Sequence, residues 1–264
     1  EQDADLRFVR LEGSARQSLA MSYEDHYGLT RWELPDVVAS EAQWSAHRAL
    51  LYARQPFHDF EVQRQAPDGT TVWVSVSGEP VFDDAGRFTG YMGVARNITR
   101  QKQAEAEIQR LAFYDELTHL PNRRLLIERL EQALAQCGRS ASHGALLYLD
   151  LDHFKDVNDT LGHEWGDELL RQAGIRLCQC VRTTDTVARL GGDEFVVVLQ
   201  GLDAQAAEAA MQAEAVAQKI LMQLNVPYAL TGAELHCPPS IGIALFQDAQ
   251  LSVLELLQRA DMAM

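Results

Sequence analysis

Positive charge is scarce in this chain: 264 residues carry 23 Lys and Arg against 38 Asp and Glu, a net charge of −15. Without a basic footprint, polymeric nucleic acid and anionic membrane surfaces are excluded as principal partners, and an anionic ligand needs a cation as intermediary. There is no run of the roughly 18–20 apolar residues that a membrane-spanning helix requires, and no basic-then-apolar leader. The expectation is therefore a cytoplasmic piece without membrane contact. It begins at Glu1 rather than Met and stops inside a helical pattern at Met264, which reads as a fragment of a longer protein. The four cysteines, Cys137, Cys178, Cys180 and Cys237, form neither a CxxC pair nor a Cys/His zinc pattern, so reduced, buried thiols are expected. No internal repeat or low-complexity tract is present.

What is there is a folding chain, 47% hydrophobic and 23% charged, long enough for about two domains. From Phe57 to Ile98 the pattern is an antiparallel meander: Phe57–Gln65, a turn at Pro67-Asp68-Gly69, Thr71–Phe82 with alternating valines, a turn at Asp83–Gly86, then Arg87–Ile98. Upstream, Leu6–Glu12 reads as a strand, and Ala15–Met21 and Glu41–Arg54 read as helices. Thr99–Ala112 has no Gly or Pro and is rich in strong helix formers. Its Ala104, Ile108 and Leu111 recur at seam spacing, either as a helix pairing two chains or as a plain amphipathic connector.

The order of these elements, with the stretch DGTTVWVSVSGEPVFDDAGRFTGYMGVARNIT, resembles a PAS sensor domain over residues 1–98, followed by a helical signalling linker over 99–112. The resemblance leaves the PAS ligand unknown. With no cysteine before Cys137, flavin–cysteine photochemistry is excluded. His47 and His58 could hold a haem, but a lone histidine is more often a surface or satisfied residue.

From Phe113 onward helices and short apolar strands alternate, predicting an α/β arrangement with a mixed sheet. Pro121 opens a helix over Asn122–Ala135. Ala145–Leu151, Thr186–Leu190, Phe195–Leu199 and Ser240–Phe246 read as strands. Gly166–Val181, Ala204–Leu224 and Ser252–Met264 read as helices. Two acidic clusters stand at strand ends, Asp150-Leu151-Asp152 and, after a Gly191-Gly192 turn, Asp193-Glu194. If they converge, the like charges repel by about 4 kcal/mol per pair at 4 Å and an effective dielectric near 20. A cation or raised pKa values must compensate. Oxygen ligands without His or Cys select Mg²⁺ or Mn²⁺, the ions of metal-assisted phosphoryl or nucleotidyl transfer.

The strings DELTHLPNRR (Asp115–Arg124), DLDHFKDVNDTLGHEWGDELL (Asp150–Leu170) and ARLGGDEFVVVL (Ala188–Leu199) occur in that order. Together they resemble the GGDEF family of diguanylate cyclases over residues 113–264. The fold implied for the whole chain is α+β or α/β: an N-terminal PAS antiparallel sheet with helices, a helical linker, and a GGDEF domain with a mixed central sheet surrounded by helices, as in nucleotidyl cyclases and polymerase palms. The resemblance implies Asp150, Asp193 and the carbonyl of Leu151 as metal ligands, with Glu194 beside the metal as a further acid or base. It implies Phe154 and Lys155 over the triphosphate, Lys155 neutralising charge there, and Asn158, His163 and Asp167 as substrate-binding residues. A carboxylate and an amide complement the donors of guanine, which favours GTP over ATP. Arg182 and Asp185 resemble an RxxD product-inhibition site. Asp152 is left as a structural carboxylate.

The implied reaction joins two GTP into cyclic di-GMP with release of pyrophosphate. Each domain holds one GTP, so a homodimer formed through the PAS domain and linker is expected. The family's Ala-Lys pair and Gly-Arg-Asn, which would follow Ala260-Asp261-Met262-Ala263, are absent here, which predicts weak nucleotide binding by this piece. The stretch Pro227–Phe246 also looks like GGDEF domains that precede an EAL phosphodiesterase domain. An alternative reading is thus a catalytically weak module that binds GTP or cyclic di-GMP and regulates such a neighbour. A third is a sensing scaffold with Trp32, Trp44 and Trp73 lining the PAS pocket.

Overall fold

The computed structural model describes residues 1–13, 24–65, 69–230, 233–247 and 251–264. The chain divides into two compact units, Glu1–Ile108 and Gln109–Met264.

The first unit holds a four-stranded antiparallel sheet in the order β1 (Val37–Val38), β2 (Phe57–Gln65), β3 (Thr71–Phe82), β4 (Phe88–Asn97). Alternation of apolar and polar side chains sets this meander, and Val62 and Val74, directly paired across β2 and β3, face the same core. The β3–β4 turn is held by Asp83, whose carboxylate accepts the backbone N–H of Ala85 at 3.0 Å and of Arg87 at 2.8 Å. Gly78 makes room for the Phe57 ring, which a Cβ there would approach to 2.7 Å and force to shift. Helix α1 (Glu41–Tyr52) starts at a capping box between Ser40 and Gln43 and buries Trp44, His47 and Leu51, one stripe at helical spacing.

One expectation for this unit changes, and two fall where the structure is not described. Leu6–Glu12 is not a ladder strand. Arg7 and Phe8 make isolated bridges, because the Asp3 carboxylate accepts the N–H groups of Asp5 and Arg7 and turns the chain, leaving Leu6 at φ 64°. The helix expected at Ala15–Met21, and Pro67 and Asp68 of the expected turn, lie outside the described residues. Helix α2 (Thr99–Phe113) forms as expected and carries the chain from one unit into the other, with Ile108 and Leu111 exposed.

The second unit contains α3 (Arg123–Ser140), β5 (His143–Leu151), α4 (Phe154–Leu161), α5 (His163–Cys180), β6 (Thr186–Gly191), β7 (Glu194–Leu202), α6 (Ala206–Leu224), β8 (Tyr228–Leu230), β9 (Ala233–Leu235), β10 (Pro239–Phe246) and α7 (Val253–Met262). Its central sheet has the order β10-β5-β7-β6, and every pairing in it is antiparallel. The expected mixed sheet is therefore corrected, while the α+β class stands. Each helical crossover skips one place in the sheet: β5 leads through α4 and α5 to β6, and β7 fills the gap; β7 leads through α6 to β10, which lies beyond β5. Continuous apolar strands suggested parallel pairing because such strands are buried on both faces. Here the same burial is achieved in an antiparallel sheet. Leu147 and Leu149 pack with α5 and α6, and Leu146 and Tyr148 pack with α3 and α7. A small hairpin, β8–β9, was not expected. All four cysteines are free, but Cys178 is exposed rather than buried, since its helix position faces away from Cys180.

Among the described residues no helix is long and apolar enough to cross a membrane.

His47 yields a pH prediction. Burial, with Arg31 beside it, pushes its pKa from 6.5 down to about 3. As pH falls below 6.5 the unfolded chain gains this proton and the folded chain does not, so stability is lost progressively between pH 6.5 and about 3, by at most about 1.4 kcal/mol per pH unit. Urea unfolding followed by tryptophan fluorescence, with three of the four tryptophans in this unit, should show that slope. A His47→Gln chain should show a shallower one.

Candidate functional site

The two acidic clusters converge. Asp150, the penultimate residue of β5, is paired in register with Glu194 of β7 on one side and with Ser240 of β10 on the other. Asp193 sits in the β6–β7 hairpin. The two loop residues are Gly192 and Asp193, with Gly191 paired to Glu194, so the turn is Gly192-Asp193 rather than Gly191-Gly192. Gly192 has φ 53°, a left-handed conformation that glycine adopts without strain. Burial, followed by the charges of Asp193, Glu194, Asp152 and Asp261, pushes the Asp150 carboxyl above its ordinary range.

Around these acids the donor set is hard oxygen. Asp152 gives one oxygen to the Ser240 hydroxyl at 2.8 Å, which suits a structural carboxylate. Cys237 donates its S–H to the Asp152 carbonyl at 3.2 Å. Burial and the neighbouring Asp193, Asp152 and Asp150 push its pKa to about 11. Tyr148 stands on the same face of β5; burial and the Glu194 carboxylate raise its hydroxyl to about 12. Among the described residues no three His, Cys, Asp or Glu side chains gather as a complete metal cage. Two side-chain carboxylates and a backbone carbonyl suit an ion that keeps water and phosphate oxygens as its other ligands.

After β5, His153 takes a left-handed conformation, φ 63°, and opens α4 without a side-chain cap. Phe154 is buried in the core and Lys155 exposed in the first turn. Gly162 breaks the helix at φ 97° and starts α5 at His163, which is exposed. Asn158 and Asp167 are half-buried. The Asn158 Oδ1 is buried with no hydrogen-bond partner, and a Cβ on Gly166 would lie 2.0 Å from it. The Asp185 carboxylate is used locally, accepting the N–H of Arg182 at 2.9 Å and of Gln200 at 3.2 Å. Among the described residues the Arg182 guanidinium has no carboxylate partner.

The residue pair that sequence reading missed is Asp115 and Arg189. Arg189 Nη1 reaches both Asp115 oxygens, at 2.9 and 3.1 Å, and its Nε and Nη2 donate to the Gly192 carbonyl at 3.0 and 2.7 Å. One guanidinium thus clamps the acidic hairpin to the turn ahead of α3. Burial opposes ionisation of Asp115, but hydrogen bonds from Thr118 and Arg189 outweigh it and hold its carboxyl below the usual range. Asp261, in α7, also acts electrostatically on Asp150. Helix α7 comes close because Gly242 has no Cβ; one would lie 1.9 Å from the Ala260 carbonyl.

The family profile "Diguanylate cyclase, GGDEF domain" matches residues 112–264, and a PAS fold profile matches residues 2–103. The chain belongs to the GGDEF family. The GGDEF chain is 42% identical over 166 residues to the bifunctional diguanylate cyclase/cyclic di-GMP phosphodiesterase MucR of Pseudomonas aeruginosa, covering 63% of this chain and 23% of that protein. It is 38% identical over 166 residues to the diguanylate cyclase TpbB of the same species, covering 62% and 37%. The chain thus spans well under half the length of these curated relatives. A solved structure of the coiled coil and GGDEF domain of DgcB from Caulobacter crescentus, in complex with c-di-GMP, superposes with a TM-score of 0.54 at 25% identity, covering 63% of this chain and 85% of that one. The GGDEF signature itself, Gly191–Phe195, is the hairpin clamped by Arg189.

The clamp gives a direct test. Arg189→Ala and Asp115→Ala should each destabilise the second unit by about 2 kcal/mol, and the double-mutant cycle should show a coupling of roughly 1–3 kcal/mol in urea unfolding. A coupling near zero would mean that the hairpin is held without this pair.

Proposed function

We propose that the second unit is a diguanylate cyclase domain that condenses two GTP into cyclic di-GMP and pyrophosphate. The observation that carries this reading is the register of β5 with β7, which sets Asp150 opposite Glu194 with Asp193 in the adjoining turn. Asp150, Asp193 and the Leu151 carbonyl would hold Mg²⁺ or Mn²⁺, with Glu194 alongside. A bound divalent ion supplies charge neutralisation at the phosphates and template geometry for the displacement. The uncapped N–H groups at the start of α4 and the exposed Lys155 would take the triphosphate. The unpartnered Asn158 Oδ1 suits a donor on guanine, and Asp167 complements the N1–H and amine edge, which adenine lacks. Phe154 anchors the turn, and His163 at the start of α5 completes the substrate residues.

In each half-reaction the 3′-oxygen of one GTP bonds to the α-phosphorus of the other, the bond to the β-phosphate oxygen breaks, and pyrophosphate leaves. The proton of the 3′-hydroxyl goes to a base, a role that Glu194 is suited to fill. Both hydroxyls cannot come from one half-site, so two protomers must face each other. The PAS unit (1–98) and the helical linker (99–112), with Ile108 and Leu111 exposed, would supply that pairing and bias it when the sensor changes state. Arg182, which no carboxylate pairs among the described residues, and Asp185 would form the inhibitory product site.

The likeness to a bifunctional relative favours a second reading, a GTP- or cyclic di-GMP-binding module that regulates an adjacent EAL phosphodiesterase domain. The two separate on turnover. The intact protein, stripped of product, should make cyclic di-GMP from GTP only with Mg²⁺ or Mn²⁺. Asp150→Asn and Asp193→Asn should each lower kcat at least 100-fold. Asp150→Asn should leave the unfolding midpoint unchanged or raise it, because it relieves like-charge repulsion. Nucleotide binding without product would sink the cyclase reading and leave the regulatory one.

A further inference from the structure

The first unit encloses a cavity of about 260 Å³. The expected tryptophans do not line it: Trp44 packs with Val62 and Val74, and Lys102 sits over the Trp73 ring. Its walls are instead apolar on one side, from Leu34, Val62, Val74 and Val76, and charged on the other, where Arg31 and Arg64 are joined by Arg10, Glu1 and Glu12; those two carboxylates are taken by Arg10, at 3.6 and 2.6 Å. Both arginines are only 7% exposed. Arg64 has its counter-charge, since its Nε donates to Asp36 Oδ2 at 2.8 Å.

Arg31 does not. Among the described residues no carboxylate pairs with it. Its Nη1 lies 3.3 Å from His47 Nε2, whose depressed pKa keeps the ring neutral and able to accept. Its guanidinium lies 5.2 Å from the Phe57 ring centre and 5.8 Å from that of Phe8. Burial and the nearby Arg64 lower its pKa only to about 10, so it remains charged at neutral pH. One neutral hydrogen bond and two ring faces return less than burying a guanidinium costs.

We propose that this cavity binds a small organic monocarboxylate, its carboxylate taken by the Arg31 guanidinium and its apolar body by Leu34, Val62, Val74 and Val76. Arg31, which no described carboxylate pairs, calls for one negative charge. The planar fork of arginine matches a carboxylate in bidentate fashion. The apolar remainder disfavours inorganic phosphate, whose other oxygens would lack donors. The volume lies just below the roughly 300–1,000 Å³ of ordinary ligand clefts, so the ligand is small.

The test is independent of GTP turnover. The whole chain is titrated by calorimetry with butyrate, hexanoate, octanoate and benzoate, each beside its primary amide, and with inorganic phosphate. At least one acid should bind saturably and at least tenfold more tightly than its amide, and phosphate should not bind. Arg31→Gln should weaken that acid more than tenfold while leaving the unfolding midpoint unchanged or raised; Arg31→Lys, which keeps the charge but loses the fork, should fall between. No saturable binding by any of the four acids, amides equal to acids, or phosphate competing as well as the acids overturns the proposal. The acid-against-amide comparison on the unmodified chain decides the case even where the Arg31→Gln chain does not fold.

Discussion

Carboxylates do not assemble unaided, and the second unit is organised around making them do so. Asp150 and Glu194 come from two strands that hydrogen-bond in fixed register, with Asp193 in the turn that leads into β7, and a slip of one residue between β5 and β7 would carry Glu194 to the opposite face. The register is fixed by what lies behind the site: Leu146, Leu147 and Leu149 of β5 and Val196, Val197 and Val198 of β7 are all fully buried, with helices on both faces. Repulsion among the acids is therefore borne by hydrophobic packing several residues away. Arg189 supplies the only guanidinium that the described hydrogen bonds bring to the hairpin. It is spent on Asp115 and the Gly192 carbonyl rather than on the clustered acids, which leaves their charge for a ligand to neutralise.

The first unit has the opposite polarity. There a positive charge, Arg31, at the start of a short 3-10 turn, is buried with no carboxylate partner among the described residues. In both units the folded chain retains an electrostatic debt that packing sustains and a bound species would settle. Such positions are where local preference and global fold disagree, and they are more informative about function than any satisfied residue.

Much of this was legible in the sequence. Strands β2 and β3 have the expected bounds because alternation over nine and twelve residues leaves little choice of face. The convergence of Asp150 with Asp193 was expected from two acidic strand ends. Other features were not legible. The pairing of Asp115 with Arg189 spans 74 residues, and neither residue type signals it; the only trace is an arginine two places before Gly191 on a strand otherwise apolar. The sheet was read as mixed because burial of both faces is the mark of parallel strands, and composition does not report the order in which strands are laid down. Leu6–Glu12 carried strand propensity, but one Asp3 side chain accepting two backbone N–H groups decided the local path. Arg31 gave no signal at all, since an arginine reads as solvated until the fold buries it.

The central claim, that Asp150 and Asp193 share one divalent ion, is tested most directly by crystals of the protein grown with Mn²⁺ and a non-hydrolysable GTP analogue, recorded for anomalous scattering. The account predicts a manganese peak bonded to oxygens of Asp150, Asp193 and the Leu151 carbonyl, with the nucleotide's phosphates completing its shell. Nucleotide bound with no manganese between these two carboxylates, or manganese held elsewhere on the chain, would contradict it.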